Sequence, residues 1–181
     1  MQSNEIAILL AYFITFSCYG TWLHGGKETS VDRHHNIPET EFLSFNQARQ
    51  MSAKKRMSET PYLLGQHQRQ IVLNTIKEVC QYRGWILLAA HVRTNHVHLI
   101  VHAILSPENI MNTIKSYSSR RLNESKLDGH RANRWTRHGS TRYLWREEEV
   151  EATIQYVVYE QGSPMSVFEN KDRSFEGCKY L

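Results

Sequence analysis

Two apolar runs, Trp85–Val92 (WILLAAHV) and Asn95–His102 (NHVHLIVH), are separated only by Arg93 and Thr94. That spacing constrains the chain more than any other feature. Strand-forming runs joined by so short a turn predict an antiparallel hairpin. The first run is apolar almost throughout and predicts a fully buried strand. In the second, alternation sends His96 and His98 to one face of the sheet and Val97 and Leu99 to the other.

Further elements flank the hairpin in a regular order. Tyr12–Leu23 (YFITFSCYGTWL) is β-branched and aromatic and predicts a strand that turns at Gly25-Gly26. From Gly65 the apolar residues Ile71, Leu73, Ile76, Val79 and Cys80 recur at helical spacing, with Gly84 as C-cap. Ser106 and Pro107 open a second helix that runs to about Asn123. Ser140–Trp145 predicts a short strand. Glu147–Glu149 place acid where the positive end of a helix dipole accepts it, and that helix runs to about Gln161. The order β–α–β–β–α–β predicts an α+β, ferredoxin-like (RRM-like) antiparallel sheet with helices on one face and an extra C-terminal helix.

A length of 181 residues fits one domain, 1–181. Within it, 24–64 reads as a long loop, with a short helix around Phe45–Met51, and 163–181 as a C-terminal tail. The longest apolar stretch, Ile6–Phe16, is too short to span a bilayer and lacks a basic leader, so no membrane partner is expected. Three cysteines (Cys18, Cys80 and Cys178) without a close pair argue against a disulfide framework and fit a reducing, cytoplasmic setting.

The chemistry-bearing residues fall in two places. His96 and His98 are side by side as metal ligands would be. An H-x-H strand is equally found on ordinary half-exposed sheets, and His91 and His102 stand close by. On the last helix, Val150, Ile154, Val157 and Val158 form an apolar stripe. Tyr156 and Glu160, four residues apart, flank it, and Tyr159 faces away. A carboxylate there would complete a two-histidine, one-carboxylate site beside a phenol; a solvent-facing pair reads the same way.

Charge is uneven. Residues 107–146 carry nine Lys or Arg against three acids, in a chain whose net charge is +4. Lys115, Arg120, Arg121, Arg131, Arg134, Arg137 and Arg142 are interleaved with aromatics, Trp135 among them. Such a mixture suits phosphates and unpaired bases, and a solvated helix face accounts for part of it.

Taken together, the Gly-Thr-Trp-Leu-His stretch (20–24), the NHVHLIV strand (95–101) and the strand-then-helix from Trp135 to Gln161 resemble the HUH single-tyrosine transposases, including the REP-associated tyrosine transposases. The resemblance implies metal-binding histidines at His96 and His98, a nucleophile at Tyr156, and a third ligand at Glu160, where that family usually has Asn or Gln. Glu160 departs from the pattern, and Gln161 stands next to it. On a continuous helix the i, i+4 position keeps the tyrosine's face, which favours Glu160. The resemblance further implies Mg²⁺ or Mn²⁺, single-stranded or hairpin DNA as partner, no small-molecule cofactor, a 5′-phosphotyrosine intermediate, and a fold often used as a homodimer. Two other readings share these residues: a non-catalytic binder of hairpin DNA or RNA, and a His/His/Glu metal hydrolase.

Overall fold

The computed structural model describes residues 8–21, 51–52, 54–129 and 131–173. The Gly25-Gly26 turn and most of the expected 45–51 helix lie outside them. The elements are β1 (Ala11–Cys18), α1 (Gln66–Arg83), β2 (Ile86–Val92), β3 (His96–His102), α2 (Pro107–Ser125), β4 (Trp135–Leu144), α3 (Glu147–Tyr159) and β5 (Ser166–Glu169).

The sheet order is β4-β1-β3-β2-β5, with every neighbouring pair antiparallel. The first four strands have the predicted ferredoxin-like arrangement, and the predicted hairpin is β2–β3. Arg93 N–H donates to the His96 carbonyl across its turn, at 2.8 Å.

Alternation sorts the sheet into two faces. Ile14, Phe16, Val97, Leu99 and Val101 join Val72, Ile76, Ile110, Ile114 and Leu122 of α1 and α2 in the larger core. Ala11, Leu88, Ala89, Ile100 and Leu144 pack with Val150, Ile154 and Val157 of α3 in a smaller core. The two crossover helices therefore share one face, and α3 covers part of the other. That leaves the His96–His98 end of the second face beside the C-terminal end of α3.

Local chemistry fixes the helix ends. Gly84 closes α1 at φ 68°, a left-handed conformation that glycine adopts without strain, and its N–H reaches the Cys80 and Gln81 carbonyls. Pro107 opens α2; Ser106 occupies the N-cap position, although its side chain makes no capping bond. Glu149 caps α3, accepting from the backbone N–H groups of Trp145 (3.1 Å) and Arg146 (3.3 Å) and pairing with the Arg146 guanidinium. Among the described residues, no helix is long and apolar enough to cross a membrane.

Three boundaries differ from the sequence reading. β4 begins at Trp135 rather than Ser140. It is an edge strand with most side chains exposed, so it carries little apolar alternation to detect. Gly139 sits where an added Cβ would meet the Thr15 carbonyl and the Met111 sulfur, so the close β1–β4 approach requires glycine there. Residues 166–169, expected in a tail, form β5 against β2, a segment too short for periodicity to reveal. The last helix stops at Tyr159, two residues before Gln161.

Candidate metal and tyrosine site

His96 and His98 project from β3 onto the α3 face with ring centroids 4.6 Å apart. The Nδ1–H of His96 donates to Asn95 Oδ1 at 2.7 Å, which places the imidazole lone pair on Nε2. His98 Nδ1 is hydrogen-bonded to Thr15 Oγ1 at 2.7 Å. Such second contacts orient ligating histidines and fix their tautomers. Thr15 is 83 residues from His98 in sequence and meets it because the two are register partners between β1 and β3. The sequence reading missed it, and no local motif marks it.

Burial and neighbouring positive charge both oppose protonation of the pair. Burial, followed by Arg93 and His91, pushes His96 down to about 4. Burial, followed by His96, pushes His98 down to about 3, against an opposing hydrogen bond to Gln161. Both rings are therefore neutral at pH 7, the form that ligates a cation. Arg93, also missed by the sequence reading, stands close enough to contribute to both shifts.

Tyr156 reaches the same place from α3. Its ring centroid lies 6.0 Å from that of His98 and 6.3 Å from that of Phe13, both edge contacts, and the residue is 42% exposed. A phenol held by its ring edges but open to solvent is accessible to a large substrate.

The third expected ligand, Glu160, lies at the very end of α3. Glu160 is exposed and serves as the C-cap residue of α3, with φ −105° and ψ 9°. Among the described residues, no three His, Cys, Asp or Glu side chains gather into a metal-binding group, so His96, His98 and Glu160 do not form one. Gln161 is half-buried and lies within hydrogen-bonding reach of His98. Its amide also donates to the Tyr156 carbonyl at 3.2 Å. The i, i+4 rule presupposes a continuous helix, and this helix has already ended. Past Tyr159 the chain turns through Gly162 at φ 72°, and Gln161 folds back toward the tyrosine it follows.

The expected nucleic-acid contacts separate into several groups. Lys115 is 7% exposed, with Nζ donating to the Thr136 (3.0 Å) and His138 (3.2 Å) carbonyls; burial pushes it down to about 8. Arg134 is 3% exposed and bonds Asn123 Oδ1 at 2.7 Å, with Asp128 beside it. Trp135 donates its indole N–H to the Lys115 carbonyl and Ser119 Oγ, and packs on Phe16. Arg131 is held by the Thr60 carbonyl, Glu59 and the Tyr62 ring. These four hold the α2–β4 connection together and present little to a ligand. Arg120 and Arg121 are exposed on α2, across the sheet from the histidines, and Arg121 is paired with Glu78 and Glu124. Arg137 and Arg142 are exposed on edge strand β4. Arg142 is the register partner of Phe13, and Ser140 of Thr15, so both border the histidine face.

Arg134→Ala leaves Asp128 without its buried partner and lowers the unfolding free energy by about 3 kcal/mol in urea titrations, whereas Arg142→Ala stays within about 0.5 kcal/mol of the parent. Equal effects contradict the assignment. Because the folded pKa values of His96 and His98 lie below the unfolded value, the unfolded chain binds more protons between pH 6.5 and about 3. Stability is thus full above pH 6.5 and falls on acidification, by about 2–4 kcal/mol between pH 7 and pH 5 in chelator-treated protein. Replacing both histidines by Asn flattens that dependence; a parent stability that does not change over this range contradicts it.

No curated protein matches the chain. Among solved structures, similarity extends to a REP-associated tyrosine transposase bound to a REP hairpin, at 11% identity and a TM-score of 0.47, covering 88% of this chain and 72% of that one. It also extends to a crystal structure provisionally assigned as a transposase from Deinococcus radiodurans R1, at 14% identity and a TM-score of 0.40, covering 89% of this chain and 97% of that one. The family evidence comes from sequence: residues 53–158, more than half of the chain, match the model for IS200-like transposases. That span takes in His96, His98 and Tyr156, and the chain belongs to the IS200-like transposase family.

Proposed function

We propose that this transposase-family chain cuts and rejoins single-stranded DNA through Tyr156, at a divalent-cation site made by His96, His98 and Gln161. The observation that carries the proposal is the convergence, on one face of the sheet, of a solvent-accessible phenol with two neutral, oriented imidazoles.

The donor set suits the cation. Two imidazole nitrogens and one amide oxygen are neutral ligands that Mn²⁺ accepts, and Mg²⁺ more weakly, with coordination positions left for substrate oxygens. Bound there, Mg²⁺ or Mn²⁺ supplies Lewis-acid polarisation of the scissile phosphate. A glutamate ligand would add negative charge facing an incoming phosphodiester, and the amide of Gln161 avoids that repulsion.

The chain's own residues carry the remaining steps. Phe13 and His98 hold the Tyr156 ring by its edges, so the phenol oxygen is confined beside the imidazole pair. That oxygen loses its proton to solvent and attacks phosphorus. The P–O3′ bond breaks, the departing 3′ oxygen takes up a proton, and the 5′ phosphate remains on Tyr156. A second strand's 3′-OH then attacks the same phosphorus, restores a phosphodiester and returns the tyrosine to its free form. No bond energy is lost to hydrolysis, so no nucleotide cofactor is required. Arg142 and Ser140, on the histidine face of the β4 edge, are placed to contact the backbone of the bound strand, and a hairpin stem is a natural source of such a strand.

The test is a denaturing-gel assay with 5′- and 3′-labelled hairpin oligonucleotides, including repeats flanking the gene, in Mn²⁺. The parent forms a covalent protein–DNA adduct that disappears in Tyr156→Phe. Adduct surviving that substitution moves the nucleophile elsewhere, and cleavage without any adduct replaces the proposal with metal-assisted hydrolysis.

A further inference from the structure

Resting on that reading of the site, we propose that His91 is a positioning residue: its imidazole clamps the end of α3 and the chain beyond it, and so sets Tyr156 and Gln161 against His98. His91 is fully buried on β2 and is the cross-strand register partner of His98. Its partners determine its protonation. The Val157 carbonyl at 2.8 Å can only accept, so Nδ1 carries the proton and donates it. The Met165 backbone N–H at 3.2 Å can only donate, so Nε2 accepts.

Both contacts lie at consequential positions. Val157 follows Tyr156 and lies in the last turn of α3, where carbonyls lose their helical partners. Met165 closes the return segment that begins at Glu160 and leads into β5. One ring thus holds both ends of the 157–165 stretch, which starts one residue after the tyrosine and contains the glutamine. Arg93, two residues along the same strand edge, adds a third bond to that stretch, from its guanidinium to the Ser163 carbonyl at 3.1 Å. Thr94 Oγ1 lies 3.5 Å from Met165 Sδ. Gly162 is in the left-handed region, and Ser163 and Pro164 are exposed. The Gln161 side chain has reach to spare, so its placement depends on where the backbone is held.

The experiment compares the parent chain with His91→Ala, His91→Gln and Leu122→Ala, the last a cavity in the opposite core. Mn²⁺ affinity is measured by calorimetry, and amide hydrogen exchange is followed at Met165. Glutamine can donate and accept at once, so it can replace both imidazole bonds. The clamp predicts that His91→Ala weakens Mn²⁺ at least tenfold and speeds Met165 exchange at least a hundredfold. His91→Gln stays within about threefold of the parent in affinity, and Leu122→Ala lowers the melting temperature without changing the Mn²⁺ affinity. The proposal is overturned if His91→Ala binds Mn²⁺ like the parent, if glutamine fails to rescue, or if Leu122→Ala loses as much affinity. A parent that binds no Mn²⁺ defeats the metal site of the preceding section instead. The clamp is then judged on Met165 exchange alone, and unchanged exchange in His91→Ala overturns it.

Discussion

The pairing of β3 between β1 and β2 is the constraint on which the rest of the site depends. With a neighbour on each side, β3 cannot slip by one residue without turning every side chain to the wrong face. Val97, Leu99 and Val101 are locked into the core under α1 and α2. His96, His98 and Ile100 must then face α3. The apolar half of the strand thereby holds the polar half in register. Thr15 on one side of His98 and His91 on the other are consequences of the same registration, since each is its direct cross-strand partner.

The second contribution comes from where a helix stops. Had α3 continued for two more residues, Glu160 would have shared the tyrosine's face. Instead Glu160 caps the helix in solvent, and the Gln161 amide reaches back to the Tyr156 carbonyl before the chain turns at the left-handed Gly162. The electrostatic result bears on the phosphodiester substrate proposed above. The site holds neutral donors with Arg93 nearby, and the carboxylate that the sequence puts next in line is left outside it.

Much of this was legible in the sequence because it rests on short-range pattern. The hairpin, the sorting of His96 and His98 from Val97 and Leu99, both crossover helices with Gly84 as a stop, and the order of the ferredoxin-like strands all follow from alternation, helical spacing and turn chemistry. What pattern did not reveal depends on tertiary context. Thr15 becomes a partner of His98 only when two distant strands pair. Lys115 and Arg134 look like surface cations because composition cannot register that backbone carbonyls, Asn123 and Asp128 satisfy them inside the fold. β5 is four residues long, below the length at which alternation is informative. The choice between Glu160 and Gln161 turns on a helix terminus, which propensity locates only to within a residue or two.

On the proposed function, the break after Tyr159 gives the third ligand position to Gln161. Calorimetric titration of Mn²⁺ into Gln161→Ala and Glu160→Ala, beside the parent chain, tests it directly. The account predicts that Gln161→Ala loses at least tenfold in affinity while Glu160→Ala binds as the parent does. The reverse order would contradict it, and would return the third ligand to the residue that a continuous helix selects.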